Sequence, residues 1–158
     1  MGIFSVSDAN TIFVSRYDEN DPLSSYSNHG FELENKYWPT VEHYYQAMKY
    51  SDIDYQEIIR NAESAELANK LGHDKKQKRV KDWKKNRMVM MIRAIYTKSK
   101  TYPEIAEKLI ETGKDMIMEN SQYDYFWGCG RDKLGTNTYG KVLINVRNKL
   151  NEEAKQDK

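Results

Sequence analysis

Residues 38–49 read Trp-Pro-Thr-Val-Glu-His-Tyr-Tyr-Gln-Ala-Met-Lys. Pro39-Thr40 is a helix start, with Thr40 as its N-cap. A step of about 100° per residue from Val41 puts Val41, Tyr44, Tyr45 and Met48 within about 60° of one line, an apolar face for a core. Glu42, Gln46 and Lys49 fall at about 80–140°, a narrow polar stripe against the edge of that face. His43, Ala47 and Tyr50 lie further round. A carboxylate, an amide and an ammonium along a core boundary can line a pocket. The same three residues also suit a plain surface, with Glu42 in the first turn favoured by the helix dipole. With Glu42 as the essential carboxylate, Glu42→Gln is expected to keep the fold at a loss of only the dipole contribution, about 0.3–1 kcal/mol, while activity falls about a hundredfold or more.

Towards the N-terminus the pattern changes to strands. Thr11 to Ser15 is β-branched and aromatic, and Phe31–Leu33 and Lys36–Trp38 flank Glu34-Asn35, a hairpin tip. Asp18 to Gly30, rich in Asp, Asn, Ser and Pro, is a loop. Towards the C-terminus the chain is mostly helical. Helices are expected over Asp54–Asn61, from a Ser64 cap to a left-handed stop at Gly72, over Val80–Lys98, and from Pro103 to Thr112 with Gly113 as the stop. Met116–Met118 reads as a short strand and Asp124–Asn137 as a glycine-bearing loop. A last helix begins near Gly140, and the polar tail after Asn151 is expected to fray. The sum is an α+β fold, mainly α: one compact helical domain over residues 1–158, with its core at 10–150 and a few short N-terminal strands.

Composition narrows the function. The net charge of +1 disfavours a globally basic nucleic-acid binder, though a local patch stays open. One cysteine, Cys129, rules out an internal disulfide, and with His29, His43 and His73 dispersed no usual zinc set is present, so activity is expected to need no metal. Cysteine poverty fits a reducing cytoplasm. No apolar run reaches the roughly 18 residues of a membrane span. The start has no charged-then-apolar signal pattern, and Met1-Gly2 is followed by Val6 where myristoylation needs Ser or Thr.

Two further segments carry candidate chemistry. Eight basic residues fall between Lys75 and Arg87. They read as a solvated helix face or as a phosphate or nucleic-acid contact. Trp83 and Arg87, four apart, share a face that suits a flat base with a phosphate, or else a core ring with its neighbour packed over it. Tyr123-Asp-Tyr-Phe-Trp-Gly-Cys-Gly130 holds an acid among aromatics in a loop, the kind of segment that tends to be functional. Its glycines do not form a dinucleotide fingerprint.

Four blocks together resemble the NADAR family, also called YbiA-like: Leu23-Ser-Ser-Tyr-Ser-Asn28; Trp38 to Lys49; Ala68-Asn-Lys-Leu-Gly72 with Asp82-Trp83, Arg87-Met88 and Lys98; and Asp124-Tyr-Phe-Trp-Gly-Cys-Gly130 with Asn137, Gly140 and Arg147. Two departures stand out: the family's first block usually reads Leu-Ser-Asn-Phe where this chain has Ser25 and Tyr26, and its Lys-Phe pair is Lys98-Ser99 here. The resemblance implies a hydrolase that cleaves N-glycosidic bonds to phosphoribosyl or ADP-ribosyl groups, without a cofactor. The substrate is then a riboflavin-type pyrimidine intermediate or ADP-ribosylated guanine in nucleic acid; the alternative is a non-catalytic sensor of NAD or ADP-ribose. It implies catalytic roles for Glu42, Asp124 and Lys49, and substrate contacts from Trp83, Trp127, Arg87, His43, Gln46, Ser25, Gly128 and Asn137. Lys49 has three open roles: phosphate contact, partner of Glu42, or an amine that captures the opened sugar as a Schiff base.

Overall fold

The computed structural model describes residues 10–157; Met1, Gly2 and Val6 lie outside them. Four strands and six helices follow in order among the described residues: β1 (Thr11–Val14), β2 (Phe31–Leu33), β3 (Lys36–Trp38), α1 (Val41–Ala47), α2 (Ile53–Arg60), α3 (Ala65–Leu71), α4 (Trp83–Thr101), α5 (Pro103–Glu111), β4 (Met116–Glu119) and α6 (Thr138–Gln156). The fold is α+β and mainly helical, as expected. The strands are not all N-terminal, because β4 pairs in parallel with β1, Thr11 opposite Met116 and Val14 opposite Glu119. β2 and β3 form the hairpin, Phe31 opposite Trp38. Its tip residues Glu34 and Asn35 both have positive φ, the twist a two-residue turn demands.

The short helix α1 sits at the centre. Thr40 Oγ1 accepts from the His43 N–H and caps it. α2, α3 and α4 surround it, so all seven of its residues are buried, polar ones included. The large rings Trp38, Tyr44, Tyr50 and Tyr139 are almost fully enclosed. Their hydroxyls are satisfied where they end in the interior: Tyr139 donates to the Leu23 carbonyl (2.6 Å) and Tyr50 to that of Gly72 (2.8 Å). No helix among the described residues is long and apolar enough to cross a membrane.

Three local expectations change. Gly72 is not left-handed; its φ is −70°. Glycine serves there because a Cβ would run into the Gln46 side-chain amide. α4 starts at Trp83 rather than Val80, since residues 79–80 run extended against the end of α1: Tyr50 bridges Arg79, and the Val80 N–H donates to the Lys49 carbonyl (2.7 Å). The polar tail does not fray after Asn151. α6 runs on to Gln156, held where Glu153 accepts from the Tyr96 hydroxyl (2.6 Å) and faces Lys100 (3.7 Å).

Candidate active site

A cavity of about 370 Å³ opens between α1, α3, the start of α4 and the loop before α6. One wall is a run of rings. Tyr45 lies between Trp83 and Trp127, with centroids 5.2 and 5.3 Å away. Arg79 and Arg87 come from the basic segment, and the Arg87 guanidinium lies 3.3 Å from the centroid of Phe126 rather than on Trp83. Gln46, Lys49, Asn69 and Asp124 complete the lining with Arg16, Tyr17 and His73.

The polar stripe read from α1 is here, though its members differ in depth. Gln46 and Lys49 line the cavity, whereas Glu42 lies just beneath it and is fully buried. Glu42 Oε1 accepts from Arg16 Nη1 (2.7 Å) and Ser25 Oγ (2.9 Å), and Oε2 from Gln46 Nε2 (2.7 Å) and Asn69 Nδ2 (2.8 Å). Burial alone would push this carboxyl up, but the Arg16 guanidinium and the two amides outweigh it and hold Glu42 below its ordinary value. It is a fully ionised, fully satisfied charge that anchors the cavity floor. The expectation that Glu42 answers only to a helix dipole is therefore corrected: it is half of a buried ion pair.

Lys49 is different. Its Nζ donates to the Gly72 carbonyl (3.1 Å) and stands 5.6 Å from the Tyr45 ring centre. Burial and the positive charge of Arg79 push its pKa down to about 8, with Glu42 opposing. A large share of this amine is then neutral under mildly alkaline conditions.

Asp124 stands on the opposite wall. Its Oδ1 accepts from the Phe126 (3.0 Å) and Trp127 (2.8 Å) N–H groups and so shapes the loop that aims Trp127. Among the described residues its Oδ2 meets only the Tyr17 hydroxyl, at 3.4 Å. Of the two expected carboxylates, Asp124 is thus the one with an oxygen to spare at the cavity.

Four residues with implied substrate contacts do not line the cavity. Both ring nitrogens of His43 are occupied, Nδ1 by the Thr40 hydroxyl (2.7 Å) and Nε2 by the Ala62 carbonyl (3.0 Å). Ser25 is buried under the site, its hydroxyl bridging Arg16 and Glu42 and its carbonyl accepting the Glu42 N–H (3.0 Å). Asn137 ties the loop to β4, accepting from the Glu119 N–H (2.8 Å) and donating to the Ile117 carbonyl (3.0 Å). Gly128 leaves room for the Glu119 carboxylate and the Asp124 carbonyl, each of which would lie 2.8 Å from a Cβ. These positions build the site from behind.

Sequence reasoning missed Arg16 and Asn69, the charged and amide partners of Glu42. Asn69 had a signal, since it lies in the third matched block. Arg16 had none beyond its place at the end of β1. Among the described residues no group of three or more His, Cys, Asp and Glu is placed to hold a metal ion.

The family model described as the NADAR domain matches residues 4–151 of the chain. N-glycosidase Npun_R5314 of Nostoc punctiforme is 38% identical over 131 residues, 81% of this chain and 84% of that protein. The chain is also 32% identical over 153 residues to the chloroplastic riboflavin biosynthesis protein PYRR of Zea mays, covering 87% of itself but only 25% of that longer protein. N-glycosidase YbiA of Escherichia coli is 30% identical over 138 residues, 87% of this chain and 86% of that protein. Its solution structure superimposes with a TM-score of 0.82, covering 91% of this chain and 86% of the other. The fold, the four sequence blocks and these matches agree: the chain belongs to the NADAR family.

Proposed function

We propose that this N-glycosidase hydrolyses the bond between a heterocyclic base and a 5-phosphorylated ribose, with Lys49 as the group that captures the sugar. One observation carries the reading: a depressed-pKa amine, a carboxylate oxygen, a wall of rings and two guanidiniums converge on one small cavity. About 370 Å³ lies at the low end of the roughly 300–1,000 Å³ of small-molecule sites, which suits a mononucleotide-sized ligand. Arg79 and Arg87 have no ion pair among the described residues and suit the phosphate. The Trp83–Tyr45–Trp127 wall suits the base.

Two of the three open roles for Lys49 lose support. Glu42 is already satisfied by four other donors, and Lys49 Nζ bonds to Gly72 instead. Its lowered pKa makes it a weaker phosphate clamp than the two arginines. The remaining role is nucleophilic. As the bond from C1 to the base breaks, its electron pair leaves with the base and positive charge builds on C1 and the ring oxygen. Asp124 Oδ2 faces that charge. The Lys49 nitrogen bonds to C1, and its proton goes to the departing base. The bond from C1 to the ring oxygen then breaks, its electron pair and the remaining Lys49 N–H proton going to that oxygen, which leaves an imine and a free hydroxyl. Water adds at C1, the C1–Lys49 bond breaks, and the amine is restored with the sugar free. Cysteine poverty agrees with work in a reducing cytoplasm.

A second reading has its own observation. Lys75, Lys76, Lys78, Lys81, Lys84 and Lys85 are all exposed in the segment that brings Arg79 and Arg87 to the cavity, which favours an ADP-ribosylated nucleic acid as the substrate. The test offers the protein a phosphoribosyl aminopyrimidine and an ADP-ribosyl-guanine oligonucleotide. Release of ribose 5-phosphate with the higher kcat/KM is expected. Turnover of the oligonucleotide alone would overturn the choice of substrate.

A further inference from the structure

Capture of the sugar by Lys49 leaves one ionisable residue of the cavity wall idle, His73. It follows Gly72, the residue that ends α3. His73 is exposed, so water reaches it.

Its neighbours fix how the ring is protonated and held. Nδ1 lies 2.6 Å from the Asn69 carbonyl oxygen, an atom that can only accept, so Nδ1 carries the proton. Nε2 then holds the lone pair, and among the described residues it has no hydrogen-bond partner. The support reaches down to the floor of the site. Asn69 donates through Nδ2 to Glu42 Oε2 (2.8 Å), and Glu42 is pinned in turn by Arg16 (2.7 Å).

The same turn of chain holds the nucleophile. The Gly72 carbonyl accepts from Lys49 Nζ (3.1 Å) and from the Tyr50 hydroxyl (2.8 Å). The carbon of that carbonyl is the one bonded to the His73 backbone nitrogen. Lys49 and His73 thus come to the cavity side by side, whereas Asp124 enters from the loop before α6.

The second half of the reaction calls for such a group. Forming the imine moves protons away from the Lys49 nitrogen. Freeing the sugar requires the reverse: both protons of a water molecule must reach that nitrogen. An imidazole with one nitrogen held and the other open accepts a proton and returns it. We infer that His73 Nε2 is the general base and general acid of the hydrolytic half, carrying protons from water to Lys49. This rests on Lys49 as the amine that captures the sugar, and it names the group that releases it. An electron pair of water bonds to C1 while one water proton passes to Nε2. The second pair of the C1–N double bond moves onto the nitrogen, which takes that proton from Nε2. Nε2 next accepts the proton of the new hydroxyl, whose oxygen forms the carbonyl. The C1–N bond breaks with its pair on nitrogen, and Nε2 hands over the second proton. Imidazole and amine both end as they began.

The test follows release of the base from a phosphoribosyl substrate on rapid mixing. His73→Asn keeps a donor for the Asn69 carbonyl but has no counterpart of Nε2. The variant is expected to give a burst of about one base per protein molecule. A steady phase about 10²–10⁴-fold slower than the parent's should follow, the usual worth of a positioned acid–base group. Borohydride added during the slow phase should find most of the Lys49 peptide carrying the ribosyl phosphate. Free imidazole added to His73→Ala, where the ring's space is open, should quicken the steady phase and leave the burst unchanged, which a merely structural histidine would not allow. An unchanged steady rate in His73→Asn overturns the role of His73 and leaves the Lys49 reading standing. A first turnover slowed as much as the later ones does the same, since His73 would then act before the imine forms. Turnover by the parent with no trapped adduct on Lys49 overturns the Lys49 reading, and this inference with it.

Discussion

Glu42→Gln isolates what the floor of the site is worth. The carboxylate accepts four short hydrogen bonds from four different side chains and is fully buried. A carboxamide keeps the shape but turns one acceptor into a donor. Whichever way it is placed, its NH₂ faces either Arg16 and Ser25 or Gln46 and Asn69. The Gln46 amide can flip, because its Oε1 has no hydrogen-bond partner among the described residues. Arg16 cannot adapt: its counter-charge is gone and the guanidinium stays buried. Removing one partner of a buried ion pair costs about 3–5 kcal/mol. That is a large part of a typical total of about 5–15 kcal/mol. For a chain of this size each kcal/mol moves the Tm by about 2–4 °C, so the variant should melt roughly 6–20 °C below the parent. Arg16→Met combined with Glu42→Gln removes both charges and should recover most of the loss. Activity, assayed well below the transition, should also fall in the single variant, because Arg16 is no longer held. Thermal denaturation followed by circular dichroism measures the first effect. A single variant melting within about 2 °C of the parent would refute the reasoning, since that is less than about 1 kcal/mol.

Other outcomes follow from the same geometry. The Lys49 amine must be neutral to attack, so kcat/KM should rise with pH through about 8, and that limb should vanish from residual activity in Lys49→Met; a rate already flat below pH 7 contradicts it. Trp127 is both wall and core, 6% exposed, so Trp127→Ala should cost about 3–5 kcal/mol of stability as well as substrate affinity, whereas Trp127→Phe should retain most of the stability; melts and KM on both variants separate the effects. Among the described residues buried Lys98 donates to two neutral acceptors, the Ser24 carbonyl (2.9 Å) and Ser27 Oγ (2.6 Å), and burial, opposed by the Asp21 charge, pushes its pKa down to about 7 against an ordinary 10.5. Between those values the unfolded chain binds the extra proton, so Lys98 makes stability rise with pH across that interval, and its cost is greatest and level below about 7, where both states hold the proton. Urea midpoints across the interval should climb less steeply in Lys98→Met, and an unchanged slope would show that the ammonium does not titrate as its burial implies.

The hairpin, most helix starts and the α1 stripe were legible because each rests on local chemistry: Asn35 tolerates a left-handed turn, Thr40 and Ser64 cap helices, and Gln46 and Lys49 recur at helical spacing. What escaped is long-range. A helical wheel sets Glu42 on a stripe at the core edge, with pocket and surface both open, because it assumes a solvent side, and a seven-residue helix enclosed by three others has none. Its partner Arg16 lies 26 residues away beyond a polar loop, and no periodicity links them. β1 meets β4 across most of the chain for the same reason. The last turns of α6 carry no apolar pattern, since Glu153 holds them through Tyr96. Conversely His43, Ser25, Gly128 and Asn137 lie in matched blocks, yet they build the site from behind rather than touch its cavity.

Borohydride trapping during turnover tests the central claim most directly. A phosphoribosyl substrate is added with the reductant, the protein is digested, and the peptides are weighed by mass spectrometry. A reduced ribosyl-phosphate adduct on the peptide containing Lys49, absent from Lys49→Met, is the result predicted by an amine that captures the sugar in this cavity. Undiminished turnover with no adduct, or an adduct on any other lysine, would contradict it.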